Sequence, residues 1–147
     1  MPETHAIPLA IQAALSENGT FTVYGVDFDT RDGSAVRDYI HVSDLARAHV
    51  LAADRLLTQS QYDVFNLGTG NGTTVLEIAT AVNAATNGRL TLRHSARRAG
   101  DPASLVASAA KAEAVLGWKP EQSEIIQIVQ SALHWQKRLG TSINLLP

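Results

Sequence analysis

Two short stretches hold the residues best suited to chemistry on a charged ligand. The run from Val36 to His49 opens with Arg37-Asp38 in otherwise apolar, strand-like surroundings formed by Val36, Tyr39, Ile40 and Val42. About sixty positions later, Arg97-Arg98-Ala99-Gly100-Asp101-Pro102 presents two cations and one anion in a turn. A guanidinium offers a planar fork of donors that fits phosphate oxygens, and a carboxylate accepts from hydroxyls, so together they suit a diphosphate bordered by ribose hydroxyls. Gly100 would let the backbone approach such a ligand closely. A plainer reading stays open: Arg37, if buried, must be paired, and Asp38 or another nearby acid could serve in an ordinary ion pair.

Other chemical signatures fail on spacing. Gly68-Thr69-Gly70-Asn71-Gly72 lies between a strand-like and a helix-like segment, yet a dinucleotide fingerprint would need glycine where Thr73 stands. The stretch reads as a glycine turn. His5, His41, His49, His94 and His134 form no H-E-x-x-H motif and no i, i+4 pair, so they read as structural rather than metal-ligating, with His49 and His134 on helix faces and His41 at a strand edge. No serine occupies a G-x-S-x-G elbow, and no Gly-Lys-Ser/Thr run forms a phosphate loop. No catalytic residue and no metal site is assigned.

The elements that must position the arginines are read from periodicity and punctuation. Apolar spacing predicts a helix over Ile7 to Leu15, with Pro8 in its first turn and Asn18-Gly19 as its stop. Phe21 to Tyr24 reads as a strand ended by Gly25, and Asp27 to Gly33 as a hairpin or an excursion near a ligand. Ala35 to His41 reads as a strand feeding a helix capped by Ser43-Asp44 and running to about Leu57. Tyr62 to Leu67 alternates like a strand, Thr74 to Thr86 is an amphipathic helix stopped by Asn87-Gly88, and Leu90 to Arg93 is a further strand. A short helix runs from Ser108 to Leu116, and the last helix runs from Ser123 to Gly140.

The bulk properties bound the class. The chain has 147 residues, 45% of them hydrophobic, which is enough for one α/β (mixed α+β) domain with a real core. A net charge of −2 spread along the chain gives no footprint for nucleic acid. Its apolar runs are too short to span a membrane, its first residues lack a signal sequence, and it has no cysteine, so the cytoplasm is the expected location.

In order along the chain, Pro2 to Pro8, Phe21 to Gly25, Val36 to His49, Phe65 to Gly68, Arg97 to Asp101 and Leu116 to Trp118 resemble the UDP-glucose 4-epimerases of the extended short-chain dehydrogenase/reductase family. The resemblance covers almost the whole chain but only the family's carboxyl-terminal portion. It implies the small UDP-sugar-binding domain over residues 1–140, without the Rossmann domain, followed by a loose tail over 141–147.

By that resemblance Arg37 and Arg98 clamp the UDP diphosphate and Asp101 holds the ribose. Thr22, Val23 and Tyr24 line the uracil pocket through backbone groups and the Tyr24 ring, His5 and Ala6 approach the same nucleotide, and Tyr39 and Val75 form its surroundings. Leu105 stands where residue size would bear on whether the sugar pocket admits an N-acetyl group. The family moves a hydride to and from NAD with the tyrosine of a Tyr-x-x-x-Lys motif as base. Tyr24, Tyr39 and Tyr62 are instead followed four residues on by Phe28, Ser43 and Asn66. The expectation is therefore a UDP-sugar-binding part of such an enzyme, inactive alone, holding no NAD itself and calling for a missing or separate NAD-binding domain. A substrate domain of another nucleotide-sugar epimerase, dehydratase or decarboxylase, and a non-catalytic binding module, are the alternatives.

Overall fold

The computed structural model describes residues 3–59 and 62–143. Five helices and five short strands follow one another as α1 (Ala6–Leu15), β1 (Thr20–Tyr24), β2 (Val36–Arg37), α2 (Val42–Thr58), β3 (Thr73–Thr74), α3 (Val75–Ala85), β4 (Thr91–Ser95), β5 (Ser104–Leu105), α4 (Ala110–Leu116) and α5 (Ile125–Ile143). The mixed α/β class read from the sequence is the one observed.

The strands form two small sheets. In one, β1 and β4 run parallel, from Thr20 opposite Thr91 to Tyr24 opposite Ser95. In the other, β2 lies between β3, antiparallel with Arg37 opposite Thr73, and β5, parallel with Arg37 opposite Leu105. The main core lies where helices cover the first sheet. In α1, Ile7, Ala10, Ile11 and Ala14 recur at helical spacing and are buried against Phe21 and Val23 of β1, Ile78 and Val82 of α3, and Val129 and Leu133 of α5. A much smaller cluster joins Ala48 of α2, Ala112 of α4 and Trp118.

Local chemistry explains the element ends. Thr74 accepts from the Glu77 amide while the Glu77 carboxylate accepts from the Thr74 amide, a reciprocal cap that starts α3. Asn87 and Gly88 adopt positive φ just past its end.

Several expected boundaries move. Only Val36 and Arg37 of the expected 35–41 strand enter a ladder, and residues 62–67 pair with no strand among the described residues. His41 caps α2 rather than edging a strand: its Nδ1 accepts from the Ser43 amide. Asp44, expected as part of that cap, turns instead to the chain before α5. There it accepts from the amides of Glu121 and Gln122 and from the Ser123 hydroxyl. Helix α4 starts at Ala110, after Ala109 rather than a serine cap, and α5 starts at Ile125. The α5 helix continues past Gly140 to Ile143; of the expected tail, 144–147 lie outside the described residues.

Candidate functional site

The two arginine segments meet because β5 pairs with β2 in one sheet and draws the turn before it to Arg37. Arg37 sits on β2, and the chain entering the neighbouring β5 carries Asp101 and Pro102. One Arg37 Nη donates to the Asp101 carboxylate at 3.3 Å, and the other to the carbonyls of Pro102 at 3.0 Å and Val36 at 2.7 Å. Arg37 is therefore partnered, but by Asp101 rather than by adjacent Asp38. Asp38 faces the opposite way and accepts from the Thr69 amide and hydroxyl, the Gly70 amide and the Ala107 amide. Burial alone would raise its pKa; the Thr69 hydroxyl and the three amides outweigh that and hold the carboxyl below its ordinary value.

That clasp accounts for the glycine loop. A Cβ on Gly68 would lie 2.5 Å from an Asp38 carboxylate oxygen and 2.8 Å from the Ala107 Cβ, so only glycine fits. The Thr69 and Gly70 amides of this loop are thus occupied by the chain's own carboxylate.

The turn after β4 separates its two cations. Arg97 leaves the cleft: its guanidinium stacks 4.2 Å from the Phe28 ring centroid and bonds the Asp27 carboxylate and carbonyl. Arg98 turns inward, its guanidinium carbon 3.9 Å from the Tyr24 ring centroid. Among the described residues no carboxylate pairs with it, in contrast to Arg31, Arg37, Arg47 and Arg97. The polar run 27–33 packs away from this site, tied to the start of α3 where Asp32 accepts from Ser34 and Thr74.

A cavity of about 390 Å³ opens between the start of α1, the outward side of β1 and this arginine cluster. Ala6, Thr22, Tyr24, Arg37, Tyr39, Val75, Arg98 and Asp101, each singled out in the sequence, line it. Burial raises the pKa of the Tyr39 phenol, an effect the Arg37 charge partly opposes.

Three singled-out residues are not among those whose atoms line the cavity. Val23 is fully buried in the main core, because alternation along β1 directs it away from Thr22 and Tyr24. The exposed His5 side chain pairs with Glu3 at 2.7 Å. Leu105 on β5 is exposed and outside the lining.

The lining also includes Thr4, Leu9, Thr20, Phe21 and Ala35, which sequence reasoning missed. Period-two alternation could have found Thr20; the others are unremarkable residues made relevant by tertiary folding. The result is a partly apolar cleft with two guanidinium groups, one carboxylate and three aromatic rings, suited to holding a planar base joined to an anionic group. Among the described residues no cluster could hold a metal ion, and no helix is long and apolar enough to cross a membrane.

Comparison with known proteins fits this geometry. A model of the NAD dependent epimerase/dehydratase family matches residues 2–68. UDP-glucose 4-epimerase of Rhizobium meliloti is 51% identical over 137 residues, which are 93% of this chain and 42% of that protein. A crystal structure of UDP-glucose 4-epimerase superposes with a TM-score of 0.90 at 44% identity, over 95% of this chain and 42% of the other. The crystal structure of the Bifidobacterium longum UDP-glucose 4-epimerase in complex with NAD+ and UDP gives 0.80 at 41% identity, over 91% and 39%. The resemblance read from the sequence therefore holds over nearly all of this chain. It is a resemblance to part of a longer protein, since the chain spans about 42% of the length of such a curated relative.

Proposed function

We propose that this chain, which carries part of the extended short-chain dehydrogenase/reductase epimerase fold, binds the nucleotide of a UDP-sugar in the cleft between α1, β1 and the turn before β5. The observation that carries this reading is the unequal state of the two cleft arginines. Arg37 is held in place by Asp101 and two carbonyls, whereas Arg98 rests on an aromatic ring with no carboxylate partner among the described residues. A diphosphate would meet one fixed cation and one still able to form charge-assisted bonds. Asp101 would keep an oxygen for a ribose hydroxyl, and Tyr24 with Thr22 would border the base.

The UDP found with the Bifidobacterium longum relative supports the choice of nucleotide. The role in the cell would be substrate capture for interconversion of UDP-glucose and UDP-galactose in cytoplasmic galactose metabolism. Hydride transfer through NAD belongs, on this reading, to residues outside this chain, because the Asp38 clasp fills the glycine loop and no tyrosine here has the lysine that would support it as a base. The isolated chain should then show no epimerisation.

Calorimetry with UDP tests the site. Arg98→Ala and Arg37→Ala should each weaken binding by about 1.5–3 kcal/mol, the range for hydrogen bonds to charged groups. UDP binding that neither substitution affects would overturn the assignment.

A further inference from the structure

Asparagine is followed by glycine at 18–19, 71–72 and 87–88. This dipeptide is chemically labile, because glycine has no side chain to shield its backbone nitrogen from the amide carbon of the preceding asparagine. All three asparagines are exposed. What differs is the state of the glycine nitrogen. The Gly19 amide donates to the Ser16 carbonyl at 3.3 Å and the Gly88 amide to the Asn83 carbonyl at 2.9 Å, each in the turn that follows a helix. The Gly72 amide donates to no acceptor among the described residues.

Sheet geometry explains that free nitrogen. Successive amides along a strand point to alternate sides, so only every second one meets a given neighbour. The Val75 amide faces β2 and donates to the Ala35 carbonyl, whereas the Thr74 amide faces away and donates to the Glu77 carboxylate. Gly72 precedes Thr74 by two residues and turns away from β2 in the same sense; its carbonyl on that side accepts from Arg31 at 3.0 Å, and its amide meets nothing. The fold also requires this glycine. Its φ is +62°, and a Cβ there would lie 2.6 Å from the side chains of both Val36 and Val106.

We propose that Asn71 is a self-modification site, at which the Gly72 nitrogen closes on the asparagine side chain. Hydroxide removes the Gly72 amide proton, the nitrogen bonds to Asn71 Cγ, and the side-chain nitrogen leaves as ammonia with a proton from water. Water then opens the cyclic imide. Breaking the new bond to Cγ leaves an aspartyl residue at position 71; breaking the original bond to the main-chain carbonyl carbon leaves an isoaspartyl residue, whose chain runs through the side chain. Nothing is oxidised, and only water is consumed. Position 71 lies between two fixed points, the Thr69 and Gly70 amides held by Asp38 and Thr73 paired with Arg37. An isoaspartyl link lengthens the backbone between them and loosens β3 from β2, which an ordinary aspartate does not. None of this involves a nucleotide in the cleft.

The test incubates the full 147-residue chain at mildly alkaline pH, folded and in urea, and follows each asparagine by peptide mass spectrometry as amide turns to acid. In the folded chain Asn71 should convert about tenfold or more faster than Asn18 or Asn87, whose glycine amides react only after local opening. In urea the three rates should converge. Asn71→Gln, with its longer side chain, should remove the fast conversion. Equal rates at the three sites of the folded chain, or Asn18 or Asn87 converting first, would overturn the inference. The isoaspartyl form, separated by its added negative charge and by chromatography from the aspartyl form, should exchange the Arg37 and Thr73 amide hydrogens faster than fresh protein, whereas Asn71→Asp should not. Unchanged exchange in the isoaspartyl form would overturn the loosening of β3 while leaving the modification itself in place.

Discussion

The main core and the α2/α4 region reach order by different means. In the first, α1, α3 and α5 bury branched aliphatic side chains against β1, and the cleft opens at its edge. In the second, the buried apolar side chains among the described residues are Ala48, Ala112 and Trp118, with Ile40, Leu51, Phe65, Leu67, Ala109 and Leu116 partly buried around them, and polar groups do much of the fastening. Asp44 accepts from Glu121, Gln122 and Ser123, while its own backbone carbonyl accepts from the Trp118 indole at 2.8 Å. A region with little apolar surface to bury can be fixed by one fully partnered carboxylate and one aromatic anchor, but each then carries a large share of the local stability.

The sharpest way to break this contrast is Trp118→Ala. It should cost about 3–5 kcal/mol, the range for removing a buried aromatic, and release α4 from α2. The measurement is urea unfolding followed by Trp135, which lies on α5 and is 60% exposed, so the main core keeps its own probe. Asp44→Ala comes next, at about 3 kcal/mol, because it strands the amides of Glu121 and Gln122.

The same carboxyl makes the contrast depend on pH. Burial would raise the Asp44 pKa, but Ser123, the two amides and Arg47 hold it below its ordinary value. A depressed folded pKa contributes stability that is present above the unfolded value of about 4 and is lost as pH falls through the folded value. The urea midpoint should therefore fall as pH drops below about 5, less steeply in Asp44→Asn. An identical slope in that variant would remove Asp44 as the cause.

Ile78→Val should cost about 1 kcal/mol, the smallest effect here, since the well-filled main core shares the lost contacts among many neighbours. The contrast itself is sharpened by comparing Trp118→Phe with Trp135→Phe, each of which leaves a single tryptophan reporter. Unfolding of the Trp118 reporter at lower urea would show two units, and coincident curves would show one cooperative domain.

Much of the fold was legible in the sequence where spacing and punctuation agreed. Helices α1 and α3 followed from the recurrence of Ile7, Ala10, Ile11 and Ala14 and from Thr74 and Asn87-Gly88 at the ends of α3. Strands β3 and β5, two residues each, are too short to show any period and exist only because β2 lies between them. Residues 62–67 carry a strand's alternation without a strand partner among the described residues, a fact of tertiary structure that local propensity does not contain.

At the site, charge marked Arg37, Arg98 and Asp101, the family resemblance added Tyr24, and the cleft collected all four. Alternation along a strand already argues against Asp38 as partner of Arg37, but its pairing with Asp101 was not legible, because it depends on β5 lying beside β2. Leu9 and Ala35 carry no chemical mark and enter the lining only through packing.

The parallel register that sets Thr20 opposite Thr91 also fixes when the cleft can exist. On a ribosome adding about 5–20 residues per second, β1 must wait several seconds for β4, and Arg37 waits as long for Asp101. Through that interval Phe21 and Val23 have α1 beside them but still lack β4 and α5, so the chain is more exposed to chaperones and to aggregation before the site is complete. Any ligand of the finished cleft could stabilise the chain only after that closure and never serve as a template for it.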